Sequence, residues 1–150
     1  MGRPRRAIQN LYASTVLVIT PGGILLIRDP NKPKPHFWKC PGGASKIDPW
    51  TDVEETPEEC ARRELFEQTG ITITSADTFV KLISSNRITH EHVSYVLILS
   101  YVPELKHGRK GEEVVLFKAS EILKMDGFFL NHRHIYEEVL KETSVELEHS

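Results

Sequence analysis

Cysteine is scarce in this chain, which argues against a disulfide-stabilised protein and against a cysteine-based zinc site. Only Cys40 and Cys60 occur among the 150 residues. They form no disulfide framework and lack the spacing of a zinc site. We interpret both as small buried apolar residues, with a reactive thiol as the alternative. A cytoplasmic location is the default for a chain without a disulfide framework.

Long apolar runs and a strong net charge are also missing. No stretch approaches the roughly 20 apolar residues of a membrane-spanning helix. No apolar signal core follows the basic start, and we expect residues 1–10 to form a flexible arm. The net charge of −2 creates no global field for a membrane or a nucleic acid. An anionic substrate would therefore need local basic side chains, backbone N–H groups or a bound cation.

The composition is that of an ordinary globular protein, with 39% apolar and 27% charged residues. Its length favours a single domain over residues 1–150. β-Branched runs between glycine- and proline-rich turns predict a sheet with helices packed on it. The predicted strands are 12–20, 24–28, 37–40, 71–73, 78–84, 92–102 and 114–117. A short helix is predicted from Ser120 to Met125, and a last one begins at Asn131.

The clearest local signal is a helix from Pro57 to Thr69. Thr56 and Glu59 have the spacing of a capping box, in which each side chain accepts the other residue's backbone N–H. Proline suits the first helical position, because its N–H would be unpaired there in any case. Gly70 can adopt the left-handed conformation that ends a helix.

Acidic and amide side chains gather on one side of this helix. Glu64 and Glu67 are three residues apart and Gln68 follows Glu64 by four, so all three share one side. Carboxylates at this spacing repel each other, unless a cation such as Mg²⁺ or Mn²⁺ lies between them. The glycines at 42 and 43 predict a turn that a ligand can approach closely. A solvated acidic face beside a tight turn is the structural alternative, and the local pattern leaves both open.

A longer pattern contains these residues. Gly43, Glu55 and residues 63–71, R-E-L-F-E-Q-T-G-I, closely resemble the Nudix box, G-x5-E-x7-R-E-U-x-E-E-x-G-U, where U is aliphatic. Seven residues separate Glu55 from Arg63, as in the box, and residues 37–43 resemble its usual lead-in. The resemblance implies a Nudix-type α/β/α sandwich with a mixed sheet. It also implies metal-dependent hydrolysis of a nucleoside diphosphate linked to some group X.

The sequence departs from the box in two places. Eleven residues rather than five separate Gly43 from Glu55, so the loop at 44–54 carries six extra residues. Trp50 in this insertion could stack on a base or only cover the edge of the core. Gln68 stands where the box has the second glutamate of its E-E pair, commonly a metal ligand in the family. Its neutral carbonyl would bind a metal weakly.

The resemblance implies roles for individual residues. The catalytic residues are Glu64, Glu67 and Arg63, with Arg63 mainly fixing the loop against the helix through Glu55. The Mg²⁺ or Mn²⁺ ligands are Glu64, Glu67, the Gly43 carbonyl, Gln68 and Glu113. Glu64 is alternatively the base that deprotonates water. Glu113 is preferred to Glu112, with a plain exposed acidic loop as the alternative. The substrate-binding residues are Gly42, Gly43, Trp50 and, from its position beside the lead-in, Arg28; the structural ones are Glu55 and Gly70.

The identity of X is less constrained. Some Nudix subfamilies carry a proline or a tyrosine fifteen to eighteen residues past the box, which marks ADP-ribose or dinucleoside polyphosphate substrates. Residues 87–89, R-I-T, hold neither. We therefore expect a nucleoside triphosphate or modified nucleotide, cleaved to a monophosphate and pyrophosphate. The alternatives are an ADP-ribose or nucleotide-sugar pyrophosphatase and a catalytically weak nucleotide-binding domain. Removal of diphosphate from RNA 5′ ends would need a basic groove that the composition does not indicate. A homodimer is left open.

Overall fold

The computed structural model describes residues 11–31, 37–86, 91–125 and 139, with only the backbone at 83–86. The predicted arm at 1–10 and the start of the predicted last helix at Asn131 lie outside these residues.

A mixed sheet forms the centre of the described part. Its strands are β1 Tyr12–Thr20, β2 Gly23–Arg28, β3 Gly42–Ala44, β4 Thr78–Asn86, β5 Glu91–Ile98 and β6 Glu113–Phe117. The strand order is β4-β5-β1-β2-β6, and β3 also pairs with β1. β1 lies parallel to β5 and antiparallel to β2 and β3. β1 is thus the central strand, which agrees with its buried run of Val16, Leu17 and Val18.

The sheet is covered on both faces. Alternate side chains of β1 point to opposite faces, so Val16 joins one apolar cluster and Leu17 the other. Helix α1, Pro57–Thr69, packs on the first face through Ala61 and Leu65. Helix α2, Ala119–Leu123, packs on the second through Ala119 and Ile122. This arrangement confirms the predicted α/β/α sandwich with a mixed sheet. Neither described helix is long and apolar enough to cross a membrane.

Helix α1 has the predicted boundaries and the predicted caps. The Thr56 hydroxyl accepts the Glu59 N–H at 3.1 Å, and the Glu59 carboxylate accepts the Thr56 N–H at 2.9 Å. At the other end, Gly70 has φ 79° and donates its N–H to the Phe66 carbonyl at 2.8 Å. The ends of α1 are therefore fixed by local contacts, and so is the position of its acidic face.

Several predicted elements were wrong in detail. Residues 71–73 form no strand, and 37–40 contribute one bridge, between Lys39 and Ile27. Gly42 and Gly43 belong to strand β3 rather than to a turn. A Cβ at position 42 would collide with the Ser14 carbonyl of β1, so glycine here allows close strand pairing. Helix α2 is preceded by Lys118, whose N–H the Glu121 carboxylate accepts, rather than capped by Ser120.

Candidate active site

Strand β3 and helix α1 meet where their glycines and carboxylates lie. A Cβ at position 43 would come within 2.7 Å of the Glu64 carboxyl carbon, so a larger residue here would displace that carboxylate. The side chains of Glu64 and Glu67 are 16% and 25% exposed. The acidic face of α1 therefore points toward β3 rather than into open solvent.

The Gln68 side chain joins β3 to α1 through its amide. Its oxygen accepts the Gly42 N–H, and its nitrogen donates to the Gly42 carbonyl, both at 2.9 Å. The same nitrogen also donates to Glu64 Oε2 at 2.9 Å. The amide pairs with Gly42 as the peptide group of a neighbouring strand would, and it holds one Glu64 oxygen in place. A glutamate at position 68 could not donate these two hydrogen bonds in its ionised form.

Arg63 lies among three carboxylates. Its guanidinium donates two hydrogen bonds to Glu55, at 2.7 and 2.9 Å. It also donates to Glu64 at 2.8 Å and to Glu67 at 3.2 Å. Its bond to the Ala44 carbonyl at 3.1 Å reaches the last residue of β3, directly before the inserted loop. These contacts connect β3 and the loop after it to the helix, and the structural role that the resemblance implied for Glu55 and Arg63 stays a prediction.

Glu55 and Arg63 shift each other's pKa. Burial raises the pKa of Glu55, but hydrogen bonds from Arg63 and the Lys46 N–H, with the charges of both residues, bring it below its ordinary value. The hydrogen bond to Glu55 raises the pKa of Arg63, burial opposes this rise, and contact with Glu64 adds to it. Both groups are therefore charged at neutral pH.

A cavity of about 300 Å³ lies beside the acidic face of α1. It is lined by four cationic side chains, three carboxylates and one amide. These are Lys46, Arg63, Arg109, Lys110, Glu64, Glu67, Glu112 and Gln68. The cations outnumber the carboxylates by one. This small excess of positive charge suits an anionic ligand in a protein whose net charge is −2.

Glu112, the residue directly before β6, is the acid that this part of the chain contributes to the cavity. Glu112 is 5% exposed, and its carboxylate accepts the Lys110 N–H at 2.8 Å. Glu113 forms an ion pair with Arg28 at 2.6 Å and is not among the cavity's lining residues. Glu113 as a metal ligand stays a prediction, and the geometry favours Glu112, because alternate residues of an extended segment point in opposite directions.

The predicted substrate-binding residues fall in different places. Arg28 pairs with Glu113 and lies over the Trp38 ring, 4.5 Å from its centroid. Trp50 is 69% exposed and lines a second cavity of about 570 Å³, which shares Lys46 with the first. Neither Arg28 nor Trp50 lines the first cavity, so their contacts with substrate stay predictions.

The inserted loop is ordered by its own hydrogen bonds. Ile47 and Glu54 form an isolated β-bridge. The Asp48 N–H donates to the Val53 carbonyl at 2.9 Å, and the Trp50 N–H to the Asp48 carboxylate at 2.8 Å. The predicted loop is thus a small hairpin-like projection that carries Trp50 beside the candidate site.

Lys46 and Arg109 are cavity residues that the sequence did not single out. Both belong to loops, Lys46 after β3 and Arg109 before β6. Their only sequence signal is a positive charge, which is common in solvated loops. Lys46 and Arg109 lie beside Glu67 because the fold brings β3 and the loop before β6 against α1.

The available donors suit a hard divalent cation. Glu64, Glu67 and Glu112 supply carboxylate oxygens around one cavity, and oxygen is what Mg²⁺ and Mn²⁺ prefer. Within the described ranges no group of three or more His, Cys, Asp and Glu side chains could hold a metal as it stands; Glu64 and Glu67 are paired with Arg63 instead. Mg²⁺ commonly uses one or two carboxylates, waters and substrate phosphates, so this donor set fits.

Two main-chain carbonyls are candidate ligands beside these carboxylates. The Gly43 carbonyl accepts a hydrogen bond from the Cys60 thiol at 3.4 Å. The Gly42 carbonyl faces Gln68, on the same side as Glu64. The Gly43 carbonyl stays a predicted ligand, and the orientation favours Gly42 for that role.

Both cysteines are unsuited to a nucleophilic role. They are buried as free thiols. Burial raises the pKa of Cys60 to about 11 and raises that of Cys40 further. Both thiols are therefore protonated at neutral pH, whereas the nucleophilic form is the thiolate.

The fold and the site define a class of protein in which a carboxylate-bearing helix faces a glycine strand of a mixed sheet. A NUDIX domain model matches residues 10–139. The chain therefore belongs to the NUDIX domain family, as the resemblance of residues 43–71 predicted. Membership supports the predicted class of enzyme, a pyrophosphohydrolase acting on phosphorus-containing acid anhydrides. No match is found among curated proteins.

Solved structures show the same fold at low sequence identity. The NUDIX domain of Shewanella oneidensis NrtR, complexed with ADP ribose, has 21% identity and a TM-score of 0.67, over 89% of each chain. The MutT protein of Methanosarcina mazei Go1 has 22% identity and a TM-score of 0.61, over 91% of this chain and 99% of that one. A bifunctional NMN adenylyltransferase/ADP ribose pyrophosphatase from Francisella tularensis, complexed with AMP and a Mn ion, has 21% identity and a TM-score of 0.61. That match covers 93% of this chain and 43% of the other.

Proposed function

We propose that this protein is a divalent-metal-dependent pyrophosphohydrolase that cleaves a diphosphate linkage in a nucleoside diphosphate–X substrate. The observation that supports it best is the shared cavity of Glu64 and Glu67 beside the glycine strand. A nucleoside triphosphate or modified nucleotide is the first candidate substrate. Mg²⁺ or Mn²⁺ is the proposed cofactor, and the cytoplasm the proposed location.

Each residue of the candidate site has a proposed role in this reaction. Glu64 and Glu67 would hold the cation, which neutralises the phosphate oxygens and lowers the pKa of a bound water. Gln68 keeps one Glu64 oxygen in place through its 2.9 Å hydrogen bond. If Glu64 is the base instead of a ligand, its Oε1, which accepts the Arg63 hydrogen bond at 2.8 Å, would have to exchange that donor for the attacking water before it takes the proton. Arg63 orients both carboxylates through its hydrogen bonds to Glu64 and Glu67.

A panel of nucleotides assayed with Mg²⁺ and Mn²⁺ tests the proposal. Metal catalysis commonly supplies several kcal/mol, so Glu67→Gln should lower kcat/KM by at least about a hundredfold. Glu58→Gln is the matched control, because Glu58 is an exposed glutamate in the first turn of the same helix. Equal turnover by Glu67→Gln and the control would refute the assignment of the metal site.

ADP-ribose is the second candidate substrate. The S. oneidensis domain was solved with ADP ribose, and the F. tularensis protein is named for an ADP ribose pyrophosphatase activity. The second cavity, beside Trp50, has room for a base or a sugar. ADP-ribose therefore belongs in the panel, with Trp50→Ala expected to raise KM several-fold if the ring stacks on the substrate. An unchanged KM would indicate that the Trp50 ring does not contact the substrate and only covers the edge of the core.

The same panel distinguishes the non-enzymatic alternative. A nucleotide that binds in calorimetry but is not cleaved with either metal would favour a nucleotide-binding domain over a hydrolase. In that case Gln68→Glu, which restores the family's pattern, should be assayed for recovered turnover.

A further inference from the structure

Two basic side chains flank one oxygen of Glu67. Lys46 Nζ lies 3.9 Å and Arg109 Nη1 lies 3.7 Å from Glu67 Oε1. The other oxygen, Oε2, accepts the hydrogen bond from Arg63 at 3.2 Å. Glu67 thus lies between cations that come from two separate loops.

These two contacts are loose. Both distances exceed the range of an N–H···O hydrogen bond, and the Lys46 and Arg109 side chains are 67% and 65% exposed. Ion pairs this exposed stabilise a protein little. Lys46 and Arg109 can therefore exchange Glu67 for another anion at small cost.

The backbone that carries Arg109 is, by contrast, firmly placed. The Arg109 N–H donates to the Glu67 carbonyl at 3.0 Å, and the Lys110 N–H donates to the Glu112 carboxylate at 2.8 Å. A Cβ at Gly108 would collide with the Glu112 carboxylate, so the loop is fitted closely against it. The base of the Arg109 side chain is fixed at the cavity while its charged end remains exposed.

We propose that Lys46 and Arg109 form a clamp for the phosphate oxygens of the substrate, and that Glu67 only occupies the clamp until substrate binds. The inference rests on the proposed function, in which Glu67 turns to a divalent cation and leaves both basic groups without a carboxylate partner. The Arg109 guanidinium keeps its position over the Phe66 ring, 5.5 Å from the centroid. Lysine and arginine then face the incoming diphosphate from two sides. Arginine can bind phosphate through two N–H groups, and the cavity's excess of cations suits that ligand.

Binding of imidodiphosphate, a diphosphate analogue with a non-hydrolysable bridge, tests the clamp by calorimetry. Arg109→Ala and Lys46→Ala should each weaken its binding by about tenfold, because each removes a charge-assisted contact. Arg62→Ala and Lys81→Ala are matched controls, since both are exposed cations outside the cavity. The controls should stay within about twofold of the unmodified protein.

The affinity for Mn²⁺ alone, measured by electron paramagnetic resonance, supplies a second readout. Arg109→Ala should bind Mn²⁺ as tightly as the unmodified protein or more tightly, because a cation that competes for Glu67 is gone. General damage to the site would instead weaken both ligands together. Weaker binding of imidodiphosphate together with unchanged or tighter binding of Mn²⁺ therefore supports the clamp.

The outcomes separate this inference from the function on which it rests. Unchanged imidodiphosphate affinity in both clamp variants overturns the clamp even if Mn²⁺ binds and substrate is cleaved. Equal losses in the clamp variants and the controls, or parallel losses of Mn²⁺ and imidodiphosphate, also overturn it. If the unmodified protein binds imidodiphosphate through Lys46 and Arg109 but binds no Mn²⁺, the clamp is supported and the metal-dependent function fails.

Discussion

Gln68 shows at the scale of one residue how a departure from the family pattern acts in the structure. The sequence predicts a weak metal ligand at this position, and that role stays a prediction. In the structure the amide makes two hydrogen bonds to Gly42 and one to Glu64. The neutral side chain therefore stabilises the contact between β3 and α1 without a cation, which an ionised glutamate could not do in the same way.

Gln68→Glu should destabilise the protein in the absence of divalent metal. The substitution removes two donated hydrogen bonds and puts a second carboxylate beside Glu64, at a cost of about 1–3 kcal/mol. Thermal unfolding in EDTA measures this cost, and the same scan with excess Mg²⁺ should show a larger gain in Tm than for the unmodified protein. Glu58→Gln serves as the control. An equal Tm in EDTA would contradict the role assigned to the amide.

The Glu55–Arg63 pair predicts a dependence of stability on pH. Burial raises the pKa of Glu55, but Arg63 and Lys46 bring it below the ordinary value, so the folded state binds this proton less readily than the unfolded state. The pair therefore stabilises the protein above the ordinary glutamate pKa of about 4.3. That contribution is lost as the pH falls from there through the lower folded pKa.

Urea unfolding of the unmodified protein and of Glu55→Gln, at pH 7 and at steps down to pH 3, checks this dependence. The difference in unfolding free energy should be constant near neutrality and should shrink below about pH 4.3. A difference that does not change with pH would show that the charge of Glu55 contributes nothing to stability.

At the scale of elements, the sequence predicted α1 well because the signals for its ends are local. Thr56, Glu59 and Gly70 act on neighbouring backbone groups, so their spacing alone fixes the boundaries. Strand β3 could not be predicted in this way. A diglycine is typical of a turn, and only its close pairing with Ser14 and Thr15 of β1 makes it a strand.

Thr56→Ala should cost about 1 kcal/mol of stability, because the first turn of α1 loses the hydroxyl that accepts the Glu59 N–H. Equilibrium urea unfolding measures the change. Thr72→Ala, at an exposed threonine outside the helix, is the control and should stay within about 0.5 kcal/mol. A Thr56→Ala protein as stable as this control would show that tertiary packing alone holds the start of α1.

At the scale of the whole molecule, three distant segments build the candidate site. Strand β3, helix α1 and the loop at 108–112 meet only because β1 pairs with β3 while the loop before β6 packs on the end of α1. The spacing of the Nudix box predicted the contact between the first two. The resemblance indicated an acid at Glu113 or Glu112 but could not decide between them, and nothing in the local sequence indicated Arg109. Both contacts depend on the long-range packing of the loop before β6 against α1.

The sequence predicts the substrate less closely than the chemistry for the same reason. Glu64 and Glu67 are specified by helical spacing, whereas the group X would be bound by loops such as the insertion with Trp50. Loop conformation depends on long-range contacts that the sequence pattern does not encode. The predictions of fold and family are therefore confirmed, and those of substrate and individual ligands remain to be tested.

The position of a bound Mn²⁺ ion in crystals grown with a nucleotide analogue, located by anomalous diffraction, is the decisive measurement. We expect an ion at roughly 2.0–2.3 Å from carboxylate oxygens of Glu64 or Glu67, with the analogue's phosphates on its far side. An ordered nucleotide without any ion near these carboxylates, or an ion bound only elsewhere on the protein, would contradict the proposed metal-dependent hydrolysis.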